Sequence, residues 1–322
     1  MRAVGFDVNG GPEVLRPVEI PVPEPGPGQV LIQVAYAGVN HGEVLHRLGD
    51  YGPPDGIAVP GLEVSGEIAA LGAGVTGLAV GDPVAAYLPD GGGYAEYAVA
   101  PADFAFPLDG ISLRDGGGAA LVLTTAYGVL AGAARLTAGD TVLIHAAAGG
   151  VGSAAAQIAR ALGAAAVYGT VRTAEKAEYA KRFGYDAVLL RETFAEELSA
   201  ARTEIDVLLD PIGGATRQAG LSLLAPFGRL VAYGEAARQP DLTLPVLPFS
   251  RHNRSLTGYS VHDLALRAPA VLRGHALAAL SLLASGAIRL DITAELSLAA
   301  AFQAHQALQA GTNRGKVLLA LT

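Results

Sequence analysis

Thr141-Val-Leu-Ile-His145 runs straight into Ala146-Ala-Ala-Gly-Gly-Val-Gly152, and the reading of this stretch decides the fold. The first part is a short apolar, branched run of the kind that forms a buried strand; the second is a glycine loop. From Ser153 the period changes. Ala155, Ile158, Ala159 and Leu162 share one helix face, and Gly163 follows as a stop. A second buried-strand run, Ala165 to Val171, completes strand, loop, helix and strand within roughly thirty residues, the length of a βαβ unit.

Such a loop suits an anion. The first amides of a helix lack internal partners and lie at the positive end of its dipole, so a pyrophosphate docks there if no side chain blocks the backbone. Read as A-x-G-x-x-G, the loop is Ala147, Gly149 and Gly152. Gly149 admits the phosphates and Gly152 allows helix and strand to pack closely. Ala148, Gly149, Gly150, Val151 and Gly152 are therefore candidate cofactor-binding residues.

Working outward, the rest of the second half alternates strands and helices. Thr173 is a plausible N-cap for a helix over Ala174 to Phe183, closed by Gly184. Asp206–Asp210 and Arg229–Gly234 read as strands around a helix from Ala215 to Leu224. This alternation over 140 to 260 predicts a doubly wound parallel sheet. The first hundred residues are different, with short apolar runs broken by Gly and Pro. Val30–Tyr36, Gly81–Tyr87 and Tyr94–Val99 read as strands, the last two joined by a turn at 89 to 93, in a compact, mostly antiparallel domain. Helical periodicity from Gly116 to Gly132 marks the passage between the two. Helices around Leu277–Ala284 and Ala299–Ala310 and a strand Lys316–Leu321 complete the reading. The fold class is α/β, with a mostly antiparallel domain over 1–120 and 262–322 and a dinucleotide-binding domain over 121–261.

Composition limits function. The chain has 322 residues, no cysteine and a net charge of −8, with lysine only at 176, 181 and 316. That excludes thiolate metal sites and cysteine nucleophiles, and argues against nucleic-acid or anionic-membrane partners. The opening residues carry no apolar signal core, so a cytoplasmic location is expected.

The residues resemble the medium-chain dehydrogenase/reductase superfamily, in particular its zinc-free quinone oxidoreductase, or zeta-crystallin-like, branch. The matching stretches are Ala37-Gly-Val-Asn40, Pro60-Gly-Leu-Glu63 with Ser65-Gly66, Val80-Gly-Asp82, Leu123-Thr-Thr-Ala-Tyr127, His145 to Gly152, Gly169-Thr-Val171 and Gly315-Lys-Val317. They follow family order over nearly the whole chain. The resemblance implies a GroES-like catalytic domain with an inserted Rossmann domain, NADPH as cofactor and usually a homodimer. It places Thr125 beside the nicotinamide and makes Thr170 a cofactor contact. It also implies that Tyr233-Gly234 and Gly258-Tyr259 flank the nicotinamide, and that Asn313 to Lys316 closes over it.

Two departures matter. Zinc-dependent relatives carry a cysteine where this chain has Asn40, and Gly-His-Glu where it has Gly61-Leu62-Glu63, so no catalytic metal is expected. His41, Glu43 and His46 do not match a standard ligand spacing. Hydride delivery to a quinone or enone places negative charge on an oxygen, and a donor must wait there. Asn40, at the former metal position, and Tyr51, at the pocket tyrosine of the family, are the candidates; a turn role is the alternative for each. Asp210 reads as a cap or turn anchor, and His145 as a satisfied core imidazole.

Cofactor choice follows from charge. NAD-binding units place an acid near the end of the second strand, but Tyr168-Gly-Thr-Val-Arg172 holds none. Arg172, with Lys176 four residues on, suits the 2′-phosphate of NADPH, unless both simply pair with Glu175 or Glu178 in solvent. The leading expectation is NADPH-dependent, zinc-free reduction of a small-molecule quinone or enone. An enoyl-thioester reductase is the nearest alternative, in which Arg47, Arg251, Arg254 or Arg267 would meet a phosphate-bearing arm. A dinucleotide-binding protein without turnover is the alternative from another class.

Overall fold

The computed structural model describes residues 1–240 and 242–321. The chain divides into two compact units. The first comprises Met1–Thr124, Leu264–Ala284 and Leu290–Thr322; the second comprises Thr125–Asp263 and Ser285–Arg289.

The first unit is built on strands β1 (Arg2–Gly5), β2 (Arg16–Glu19), β3 (Gln29–Val39), β4 (Glu63–Leu71), β5 (Pro83–Tyr87), β6 (Tyr97–Pro101) and β7 (Ala105–Pro107). The second unit contributes β8 (Thr141–His145), β9 (Ala166–Val171), β10 (Ala187–Leu190), β11 (Ile205–Asp210), β12 (Leu224–Ala232) and β13 (Ser255–Gly258). The chain then returns to the first unit as β14 (Ile292–Ser297) and β15 (Lys316–Ala320).

The first unit's main sheet runs β14-β15-β3-β4-β5-β7, with β6 also on β3. All pairs are antiparallel except β14 with β15. Its core is the alternating inward face of β3, β4 and β5, with Val30, Ile32, Val34, Val64, Ile68, Val84 and Ala86 enclosed. The strands expected at 81–87 and 94–99 do not pair with each other, because β5 lies on β4 and β6 lies on β3. Residues 41–47, read from sequence only as scattered polar groups, form a short helix, α1 (His41–Arg47).

The second unit's sheet is parallel throughout and ordered β10-β9-β8-β11-β12-β13. Numbered from β8, this is the order 3-2-1-4-5-6, which reverses between β8 and β11; ligands of such sheets bind at that switch point. Helices α2 (Gly150–Ala161), α3 (Ala174–Ala180) and α4 (Gly214–Ser222) follow β8, β9 and β11. Thr173 caps α3 through Lys176 N–H, and Gly184 ends the 3-10 turn after it in the left-handed region at φ 89°. The helical run after Gly116 is interrupted: a helix over Val122–Tyr127 passes into a π-helical segment over Gly128–Ala133.

Candidate active site and cofactor loop

The glycine loop has the predicted form. β8 ends at His145, Ala146 takes a left-handed turn at φ 56°, and Gly149 is the N-cap of α2. A Cβ on Gly152 would overlap the Ala146 carbonyl oxygen and lie 2.9 Å from Ala147 Cα, so only glycine lets α2 sit this close to the strand end. Gly169 on β9 is equally confined, by Ala147 Cβ and the Tyr185 ring. The Tyr185 hydroxyl donates to Gly152 O at 2.8 Å and ties the loop down from the other side. Ala148 is buried while Gly149, Gly150 and Val151 are partly open, leaving first-turn amides accessible.

At the carboxyl ends of β9 and β10 two guanidinium groups come together. Val171 pairs with Leu190, so Arg172 and Arg191 follow on adjacent strands, and Arg191 N–H donates to Val171 O at 2.8 Å. The Arg191 Nε is enclosed and has no hydrogen-bond partner among the described residues. Its pKa is lowered, first by burial and then by the positive charge of Arg172. Two like charges with an orphaned donor fit an anion such as a 2′-phosphate. Arg172 is exposed and Lys176 half-buried at the start of α3. Arg191 escaped the sequence reading because β10 did; the short run Ala187-Val-Leu-Leu190 just before it was the available signal.

Other expected contacts fall differently. The Thr170 side chain is fully enclosed, its hydroxyl 2.7 Å from His145 Nδ1, so it belongs to the sheet core rather than to an open loop. His145 is only half satisfied: Nδ1 has Thr170 but Nε2 has no hydrogen-bond partner among the described residues, and burial lowers its pKa to about 4. Asp210 is a turn anchor, as read. It accepts from Ile212 N–H at 2.8 Å, Gly213 N–H at 3.1 Å and Arg217 Nε at 2.6 Å. Arg217 also holds Gly234 O at 3.0 Å and Glu235 at 2.7 Å, which fixes the Tyr233-Gly234 loop to the end of β11. Gly258 ends β13 beside Ala232, and the Tyr259 hydroxyl lies where a Cβ on Gly128 would be. Thr125 is buried on its short helix, and Asn313 is half-buried in the loop before β15.

In the first unit Asn40 is the hub of a buried polar cluster. Register brings it together: Val317 pairs with Val39 and Ala37 with Val64, so Lys316 and Glu63 both arrive beside the end of β3. The Asn40 Oδ1 accepts from Lys316 Nζ at 2.6 Å, while Nδ2 faces Glu63 Oε1 at 3.1 Å, Glu43 Oε1 at 3.2 Å and Gly38 O at 3.4 Å. Glu43, three residues into α1, also accepts from the Asn40 N–H at 2.7 Å and the Leu62 N–H at 3.0 Å. Glu63 accepts from Leu121 N–H at 2.7 Å and pairs with Lys316 at 2.5 Å. Burial raises the Glu43 carboxyl to about 7, against the pull of Lys316 and these hydrogen bonds. Asn40 is thus already engaged by its own chain.

Tyr51 lies in the turn after α1, 68% exposed, with its ring 6.1 Å from His46. Desolvation, then the charges of Asp50 and Glu43, raise its phenol. Lys316, expected over the cofactor, instead turns its ammonium into the Asn40 cluster and is 2% exposed. Of the arginines considered for a phosphate-bearing arm, Arg47 is fully buried against Gly10 O, His305 and Gln309, and Arg254 donates to the carbonyls of Leu221 and Ser222.

The donor set does not fit zinc. Positions 40 and 62 supply an amide and an alkyl chain, and the Glu63 carboxylate is already paired with an ammonium. Among the described residues no group of three or more His, Cys, Asp or Glu could hold a metal ion. The glycine loop and the Arg172–Arg191 pair do fit a phosphorylated dinucleotide.

Two family descriptions match the sequence: "Alcohol dehydrogenase GroES-like domain" over residues 26–110 and "Zinc-binding dehydrogenase" over residues 150–274. The chain is 33% identical over 328 residues to a quinone oxidoreductase of Pseudomonas aeruginosa, covering 99% of each. It is 32% identical over 301 residues to a mycocerosic acid synthase-like polyketide synthase of Mycobacterium tuberculosis, covering 92% of this chain but 14% of that protein. Among solved structures, Escherichia coli quinone oxidoreductase complexed with NADPH matches with a TM-score of 0.90 and 28% identity, over 100% of both chains. The chain belongs to the medium-chain dehydrogenase/reductase superfamily, in its quinone oxidoreductase-like branch. No helix among the described residues is long and apolar enough to cross a membrane.

Proposed function

We propose that this chain is an NADPH-dependent reductase of quinones and related conjugated carbonyls, working without zinc as a cytoplasmic homodimer. The observation that supports it is the Asn40 cluster: where metal-dependent relatives need thiolate and imidazole, this chain, related end to end to a quinone oxidoreductase, sets an amide, two carboxyls and an ammonium. NADPH supplies a hydride to the acceptor. The protein's own groups then deal with the negative charge left on the acceptor oxygen, Tyr51 donating to it from the turn after α1. Asn40 shapes the surroundings of that donor, since its amide is engaged by Glu43, Glu63 and Lys316. The cofactor's pyrophosphate rests on Gly149–Gly152 and its 2′-phosphate between Arg172, Lys176 and Arg191. Thr125, Tyr233-Gly234 and Gly258-Tyr259 line its nicotinamide half.

Association of two copies is supported by β13, an edge strand whose Leu256 is 44% exposed, preceded by exposed Val246 and Leu247. The polyketide synthase relative favours a second reading, an enoyl-thioester reductase. Against it, Arg47 and Arg254 are held by groups of their own chain. An NADPH-oxidation screen of purified protein against quinones, simple enones and 2-enoyl thioesters decides between them. Turnover confined to thioesters would replace the first reading with the second, and no turnover with any acceptor would leave a dinucleotide-binding protein without catalysis.

A further inference from the structure

Lysine is rare in this chain, and Lys316 is the one placed in a core. It opens β15, between β14 and β3, and only 2% of it reaches solvent. Burying an ammonium is strongly unfavourable unless it is paired and every donor finds an acceptor. Both conditions hold. Its three N–H groups meet Glu63 Oε1 at 2.5 Å, Asn40 Oδ1 at 2.6 Å and Val39 O at 3.0 Å. The path is shaped for it: a Cβ on Gly118 would sit 2.7 Å from Lys316 Cγ, and one on Gly38 would collide with the Glu63 carboxylate.

The surrounding charge balances while Glu43 keeps its proton and turns negative when both carboxyls ionise. Glu43 and Glu63 bring two buried carboxyls to one amide, and Lys316 is the cation against them. Charged and titratable groups facing Glu43 are Lys316 from β15, Tyr94 from the loop before β6 and Tyr51 from the turn after α1, and Glu63 from β4 shares the Asn40 amide with it. A centre next to which an oxygen gains negative charge must not itself be negative. Positions 40 and 62 carry an amide and an alkyl chain, and a cation stands against Asn40.

We propose that the Lys316 ammonium is the built-in cation of this reaction centre, a positioning residue that orients the Asn40 amide and offsets the Glu43 and Glu63 carboxyls in the absence of a metal. This rests on the reductase reading for its effect on rate, but its electrostatic part stands without it. With all three donors saturated inside the first unit, Lys316 has none left for a cofactor.

The test uses K316M and K316A, with E63Q/K316M as a variant in which Glu63 is not left as a buried carboxylate without its ion-pair partner. NADPH affinity is read by fluorescence titration, turnover on the best quinone across pH, and the Glu43 carboxyl by 13C NMR titration, which needs no turnover. K316M is expected to bind NADPH within about 2-fold of wild type while turnover falls ~10- to 100-fold. The Glu43 titration should move upward, because the ammonium that held it down is gone. K316A should regain part of its rate with added propylammonium. If K316M does not fold, E63Q/K316M should fold, bind NADPH normally and keep the rate deficit. A tenfold or larger loss of NADPH affinity with unchanged saturated turnover would make Lys316 a cofactor contact and overturn the proposal. So would an unmoved Glu43 titration. Wild type inert toward every acceptor, with Glu43 still shifting in K316M, would instead remove the reductase reading and leave the cation in place.

Discussion

In the second unit the groups assigned to the phosphate end of a dinucleotide, from Ala146 to Arg191, come from one continuous run of chain. In the first, the groups around Asn40 come from β3, α1, β4 and β15, with 276 positions between Asn40 and Lys316. The first arrangement is local and modular: remove one part and the others stay. The second is a closed network in which each group is another's partner, so damage spreads. On that contrast, changes at the glycine loop and the Arg172–Arg191 pair are expected to act residue by residue, and changes in the Asn40 cluster as a set.

The sharpest test of that contrast is Asn40→Ala set beside Tyr51→Phe. Both should lower turnover by ~10- to 1000-fold with NADPH binding nearly intact. Only Asn40→Ala should also destabilise the protein, by about 1–3 kcal/mol, since it strands buried partners, whereas the Tyr51 ring is exposed. Equal melting temperatures for the two variants would show that the network is not closed.

Glu43 gives the next largest effect. Folded, it keeps its proton up to about pH 7; unfolded, it releases it near its ordinary 4.5. Its contribution to stability is therefore fully present below about pH 4.5 and is lost as pH rises through 7, on the order of 3 kcal/mol in all. Urea unfolding of wild type and Glu43→Gln at several pH values should show the variant gaining on wild type across that window. A constant difference would mean that Glu43 is ionised throughout.

In the modular half, Arg172→Ala and Arg191→Ala should each weaken NADPH binding by about 1.5–3 kcal/mol and barely alter NADH binding. A loss shared equally by both cofactors, read by titration calorimetry, would place the anion elsewhere. The smallest effect is at the edge of the sheet. Leu256→Lys should leave the NADPH affinity of each subunit unchanged while shifting sedimentation toward monomer. An unshifted dimer would locate its interface away from β13.

The same contrast explains what could be read without coordinates. The βαβ unit, its loop, the Thr173 cap and the Gly184 stop were legible because each rests on neighbours in sequence, and the turn role of Asp210 was legible for the same reason. Asn40 was singled out, but its role was not. An amide imagined as a free donor turns out to be held on every side, because strand register, which no local pattern reveals, delivers Glu63 and Lys316 to it. One clue was present: Asn40-x-x-Glu43 is the spacing of a helix start, and it would have placed α1 and the Glu43 carboxyl. Thr170 misled for a simpler reason, since alternation along β9 puts its hydroxyl on the inner face beside His145.

The placement of β15 between β14 and β3, one strand in from the edge of the first unit's sheet, also has a bearing on time. Every strand of the parallel sheet lies between residues 141 and 258, so that sheet can be assembled from chain already at hand. The first unit's sheet lacks its β14–β15 edge until residue 317 finds residue 39, a closure over a very long loop and hence a slow one. Until then Glu63 waits without its counter-charge. A chain caught at that stage, or one in which β15 has peeled away, lacks the Lys316 partner of Asn40 and Glu63 while the glycine loop keeps its place on the parallel sheet, so retained NADPH binding with lost turnover is its expected signature.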